Sequence, residues 1–144
     1  MAGINFENAQ VGYEFPEYRF KIDGDLVKRY CEAVEDSNPL YVDEEFAKKS
    51  EFEGLVTPPL MMNVYAHFLR QLAAAGFTHE YTIHYMSDYE FITPAKPGDT
   101  LISKMWLVDK YTRKGRNYMT FRIETYNQNG EKIANKLHTS AWSK

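Results

Sequence analysis

A single cysteine, Cys31, stands in 144 residues, which excludes an intramolecular disulfide and a cysteine-based metal site. It falls on the apolar side of a predicted helix, where a buried thiol is the expected state, and it fits a reducing compartment. No stretch approaches about 18 uninterrupted apolar residues. The first ten residues, MAGINFENAQ, show no basic segment followed by an apolar run. Neither a membrane span nor an export signal is therefore expected, and the chain reads as a soluble, cytoplasmic protein. A basic stripe is missing too: 17 Lys and Arg are interspersed among 20 Asp and Glu for a net charge of −3, which argues against a nucleic-acid partner. His67, His79, His84 and His138 have no metal-ligand spacing, so no metal site is expected. No repeat, linker or low-complexity tract divides the chain, and residues 1–144 suit one domain.

What is present is globular: 44% of the residues are hydrophobic and 15% aromatic, enough to build a core. Residues 18–22 alternate, with Tyr18, Phe20 and Ile22 on one side, as in a half-buried strand. Over residues 25–35, Leu26, Val27, Tyr30, Cys31 and Val34 recur at helical spacing, with Asp23 placed to cap. Residues 43–49 predict a short helix whose acids lead and whose lysines follow, in accord with the helix dipole. Pro58 and Pro59 suit a first helical turn, and the apolar run after them predicts one long central helix to about Ala75. Beyond residue 80 the period changes. Residues 81–92, 100–108, 117–126 and 132–142 read as strands, separated by the Pro94–Asp99 turn and by Gln128-Asn129-Gly130-Glu131. The expected class is α+β, an antiparallel sheet around a central helix.

Two signatures give that order a family. The segment DSNPLYVD leads to FEGLVTPP, and YEFITPAKPGDTL follows. Together they resemble the D-x-N-P-x-H, F-x-G-x-[IV]-x-x-G and F-x-x-P-x-x-x-G-D-x-L elements of the MaoC-like enoyl-CoA hydratases and 3-hydroxyacyl dehydratases, which have the hot-dog fold. The resemblance spans nearly the whole chain and keeps Asp36, Asn38, Pro39, Asp43, Phe52, Gly54 and Val56. It departs at two places: Tyr41 stands where the family has its catalytic His, and Pro59 where it has Gly. The PP pair is similar to the N-terminal half of double hot-dog dehydratases and to non-catalytic subunits of heteromeric ones.

Hydration of an enoyl thioester needs a base for water, an acid for Cα and a donor to the thioester oxygen. The resemblance gives the first two roles to the Asp and His, here Asp36 and Tyr41, and the third to a backbone N–H at the helix start. A phenol titrates near ~10 and an imidazole near ~6.5, so Tyr41 is a weak base at neutral pH. Proline has no amide hydrogen to donate, leaving the N–H of Leu60 as the nearest substitute. The expected substrate-binding residues are Asn38, Gly54, Val56, Pro59, Leu60, Met61 and Tyr65. The structural readings stand beside these: Asp36 and Asn38 as turn and cap residues, Tyr41 as a packed aromatic, Asp43 as a helix cap, and Met61 and Met62 with Tyr65 and Phe68 as core.

The resemblance implies an acyl-CoA or other acyl thioester as ligand, coenzyme A arriving with the substrate and no separate cofactor. It also implies a dimer, because one sheet around one helix leaves an open edge. Three functional readings follow. The chain is a pocket-shaping subunit paired with a catalytic MaoC-like chain, a self-sufficient homodimeric hydratase using Asp36, or a non-enzymatic acyl-CoA binder. A hot-dog thioesterase with Asp36 or Asp43 as its acid is a further, weaker reading.

Overall fold

Alternation of apolar and polar residues in the second half of the chain becomes four long antiparallel strands in the computed structural model, which describes residues 4–77 and 82–142. With a short first strand they form one five-stranded sheet: β1 (Tyr18–Lys21), β2 (Thr82–Phe91), β3 (Thr100–Arg113), β4 (Arg116–Tyr126) and β5 (Lys132–Trp142), in the order β1-β3-β4-β5-β2. The class is α+β, as expected. Tyr81 and His79 lie outside the described residues. β3 runs past the expected Val108 because Lys114 and Gly115, with φ of 50° and 73°, make a tight turn into β4. The turn into β5 is held by Asn127, whose Oδ1 accepts the N–H groups of Asn129 and Glu131 at 3.0 Å each.

The first half supplies the helical layer. In α1 (Gly24–Ala33) the Asp23 side chain accepts the N–H of Asp25 at 3.1 Å, and Val27 and Cys31 are buried. Val34, expected on the apolar face, is instead the exposed C-cap. Asn38-Pro39, expected as a turn, starts a one-turn helix, α2 (Pro39–Val42), because Asn38 caps it and Pro39 fits its first position. Asp43 then caps α3 (Glu44–Lys48), accepting from Phe46 N–H at 3.0 Å.

The long central helix is not continuous, which corrects the expectation. A 3₁₀ turn at Pro59–Met61 runs into α4 (Met62–Tyr65), and α5 (Phe68–Ala74) starts anew. Ala66 and His67 leave helical geometry, with ψ of 66° and 93°, and His67 Nδ1 accepts the N–H of Arg70 at 3.4 Å as the cap of α5. Among the described residues no helix is long and apolar enough to cross a membrane.

The sheet packs on this broken helical segment. Leu101, Met105 and Leu107 of β3 and Met119, Phe121 and Ile123 of β4 are fully buried, in one cluster with Met61, Met62, Tyr65, Phe68 and Leu72. Gln71 ties the layers by donating to the Ser103 carbonyl at 3.1 Å. Phe121 sits among Phe68, Phe15 and Trp142, with ring centroids 4.9, 5.7 and 6.3 Å away. Truncating it removes the contact that joins helix, sheet and N-terminal segment. Phe121→Ala is expected to cost about 3–5 kcal/mol in urea unfolding, and a midpoint equal to wild type would show that the layers do not close on this ring.

Candidate functional site

The loops at one end of the helical segment enclose a cavity of about 210 Å³. Three pieces of chain build it. α2 contributes Leu40 and Tyr41, the segment before the helices contributes Phe52, Val56, Thr57 and Pro59, and the end of β2 with its following loop contributes Phe91 to Ala95. Tyr65 of α4 and Ile133 of β5 complete the lining. Backbone hydrogen bonds fix the pieces to one another, from Val56 N–H to the Leu40 carbonyl at 3.1 Å and from Thr57 N–H to the Ala95 carbonyl at 2.8 Å. Lys96 adds a side-chain tie, its Nζ donating to the Phe52 carbonyl at 2.7 Å.

Of the residues expected at the site, the structure brings Tyr41, Val56, Pro59 and Tyr65 into this cavity. It does not bring in the others. Asp36 lies in a separate surface depression with Lys28, Cys31 and Glu35, and its Oδ1 accepts the Asn38 N–H at 3.1 Å. Asn38 spends its own Oδ1 on the Leu40 N–H at 3.0 Å. Gly54 is absent from the lining, Leu60 faces solvent, and Met61 is in the core. Leu40, Phe52, Thr57, Ile133 and residues 91–95 were missed. The F-x-x-P element pointed to the 91–95 loop, but its prolines read only as a turn.

Among the described residues the lining contains no carboxylate, imidazole or amine. Its two phenols are poor proton carriers. Burial first, then the Asp36 carboxylate and Cys31, push Tyr41 above its ordinary value. Burial alone pushes Tyr65 further up. The Asp36 carboxylate in the neighbouring depression thus adds to the burial that keeps the Tyr41 phenol protonated.

The described histidines stand elsewhere. His84 of β2 and His138 of β5 stack with centroids 4.7 Å apart and planes 9° apart. Ser87 Oγ lies between them, 2.8 Å from His84 Nε2 and 3.1 Å from His138 Nδ1, while His138 Nε2 is 2.7 Å from Ser140 Oγ. Neither histidine lines the cavity or the Asp36 depression.

Comparison with known proteins bears on this geometry. The profile of the "FAS1-like, dehydratase domain region" family matches residues 9–136. A UPF0336 protein of Saccharopolyspora erythraea is 23% identical over 134 residues, covering 90% of this chain and 86% of that protein. A MaoC-like dehydratase from Rhodospirillum rubrum aligns with a TM-score of 0.80 at 24% identity, over 97% of both chains. A chain of the HadBC (3R-hydroxyacyl-ACP dehydratase) complex from Mycobacterium tuberculosis gives 0.81 at 20% identity, covering 91% of this chain and 96% of that one. At these identities the solved structures share its fold, the hot-dog arrangement expected from the sequence.

One electrostatic consequence is measurable. Burial first, then Lys136 and His84, push the His138 imidazole down to about 3, against ~6.5 in an unfolded chain. The unfolded state thus binds the proton more readily, so this contribution to stability is intact above pH ~6.5 and declines as the pH falls toward that lower value. Unfolding free energy is expected to drop by roughly 3 kcal/mol from this group between about pH 7 and pH 4. His138→Gln should flatten the profile over that range, and superimposable wild-type and variant profiles would refute the assignment.

Proposed function

Because the chain belongs to the FAS1-like dehydratase domain region family, we propose that it is the pocket-shaping subunit of a heteromeric enoyl-CoA hydratase or 3-hydroxyacyl dehydratase. The observation that carries this reading is the cavity lining, which offers an acyl group an apolar chamber and, among the described residues, no side chain that exchanges protons at neutral pH. Tyr41 occupies the place of the motif histidine with its phenol pushed away from neutrality. Pro59 has no N–H to aim at a thioester oxygen, and losing one such donor typically lowers the rate about 10²–10³-fold. Asp36 keeps a carboxylate, but in the neighbouring depression and engaged by a backbone N–H. In this reading the acyl thioester enters with its own coenzyme A or carrier, and a partner chain with an intact D-x-N-P-x-H supplies acid and base.

The sheet offers that partner a place. β2 is an edge strand that presents Ile83, Tyr85, Met86 and Phe91 to solvent, the kind of long apolar edge that isolated proteins avoid. A second copy of this chain would fit the same edge in a homodimer. The similarity to a chain of the HadBC complex favours pairing with a related but different chain.

Two measurements test the proposal. The purified chain alone should not hydrate crotonyl-CoA or bulkier enoyl-CoAs, and turnover that Asp36→Asn abolishes would replace the subunit reading with the self-sufficient enzyme. Ile83→Lys, which puts a charge on the exposed edge, should shift the assembly to monomer in sedimentation. An unchanged oligomer would place the interface elsewhere.

A further inference from the structure

The inner face of β5 carries a cation where the core is expected. Lys136 is only 5% exposed, and its ammonium has three N–H donors. Among the described residues Asn63 Oδ1 meets it at 2.9 Å and the Tyr89 hydroxyl oxygen also accepts from it, with the ring of Tyr89 5.3 Å from Nζ. No carboxylate stands within ion-pair distance of it among the described residues. Asn63 is held in place to do this, since its Nδ2 donates to the Leu60 carbonyl at 3.2 Å and its Oδ1 also accepts the Tyr89 hydroxyl at 2.9 Å. A lysine that merely packed its stem would bring its charged head to water, whereas this one is 5% exposed and ends on the amide oxygen of Asn63.

A buried ion without a counter-charge costs several kcal/mol. Burial accordingly pulls the Lys136 ammonium below its ordinary value, with Tyr89 acting in the opposite direction. The cluster adjoins the acyl cavity: Tyr89 stacks on the cavity residue Phe91, with centroids 5.8 Å and planes 14° apart. Asn63 lies on α4 between the cavity residues Pro59 and Tyr65.

We propose that Lys136, held in place by Asn63 and Tyr89, binds a carboxylate at the far end of the acyl group, so that the substrate class is an ω-carboxyacyl thioester. This rests on the reading of the chain as an acyl-thioester pocket and narrows it. A carboxylate supplies both things the site lacks, an acceptor for the remaining ammonium donor and a counter-charge for a lysine that is only 5% exposed. A ketone or hydroxyl brings an acceptor without the charge, and a plain alkyl tail brings neither.

The test compares two saturated thioesters of equal acyl length, hexanoyl-CoA and adipyl-CoA, by calorimetric titration of the protein as purified. Adipyl-CoA should bind more tightly on the order of 10- to 100-fold, the range of a charge-assisted hydrogen bond. Lys136→Met should bring the two affinities to within about threefold of each other, and a folded variant that keeps the full preference would overturn the assignment. The wild-type comparison decides the question even if that variant does not fold. Hexanoyl-CoA binding as tightly as adipyl-CoA overturns the carboxylate site and leaves the acyl-thioester reading standing. Binding of neither overturns both.

Discussion

Two backbone hydrogen bonds, Val56 N–H to Leu40 and Thr57 N–H to Ala95, set the geometry on which the candidate site depends. They join a one-turn helix, the approach to the central helices and the loop between β2 and β3, segments that are far apart in sequence. The residues around them explain why the joint stops where it does. Pro58 and Pro59 have no N–H to continue the pairing, so the chain turns at once into the 3₁₀ segment. On the facing loop the Lys96 N–H closes on Asp99 Oδ2 at 2.8 Å, and the Gly98 N–H returns to the Ile22 carbonyl at 2.8 Å. The walls of the cavity are thus positioned by main-chain bonds, and replacing a side chain such as that at position 41 leaves the chamber standing.

That separation of scaffold from chemistry accounts for the character of the site. The polar motif residues that survive here, Asp36, Asn38 and Asp43, each satisfy a backbone N–H at a turn or helix start, and the chain needs them for that purpose with or without catalysis. The residues that depart, Tyr41 and Pro59, face the cavity. Polar chemistry appears instead on the inner face of β5 and β2, where Lys136, His138 and Ser140 are buried while Leu137 between them is 42% exposed. The usual relation of apolar inside and polar outside is inverted over residues 136–138 of this strand. A protein accepts the cost of burying polar groups only where they are hydrogen-bonded; His138 and Ser140 are, through Ser87 and one another, whereas Lys136 has hydrogen bonds but no counter-charge among the described residues.

Much of the fold was legible in residue order. β5 begins and ends where alternation places it, and Asp23 and Asp43 cap the helices that their positions predict. The break at Ala66-His67 was not legible, because Val64, Phe68 and Leu72 keep helical spacing across it and only the cap by the His67 ring marks the restart. At the site, Tyr41, Val56, Pro59 and Tyr65 could be found because they lie in or beside the motif. Residues 91–95 approach from the far side of the fold, and sequence proximity carries no trace of that. Lys136 was hidden for a further reason: on β5 the face that alternation marks as polar is the one turned inward.

The two edges of the sheet differ, and the difference links assembly to the site. On the β3 side, β1 covers only four residue pairs, and the N-terminal segment seals part of what remains through Gly12, Tyr13 and Phe15, bonded to Leu107 and Met105. Lys110 fastens that segment from behind, its Nζ donating to the carbonyls of Phe6, Glu7 and Ala9. β2 has no such cover among the described residues, and its last residue, Phe91, both lines the cavity and stands on the exposed edge. Tyr89, two residues earlier on the same strand, contacts Phe91 and the Asn63–Lys136 cluster. A chain docked on β2 and an acyl group in the cavity therefore share one element. If docking stiffens β2, ordering Phe91 no longer weighs against ligand binding, and by linkage the ligand must strengthen docking by the same factor. Partner affinity and acyl affinity are in that case two readings of one coupling, carried by the strand that forms the wall between them.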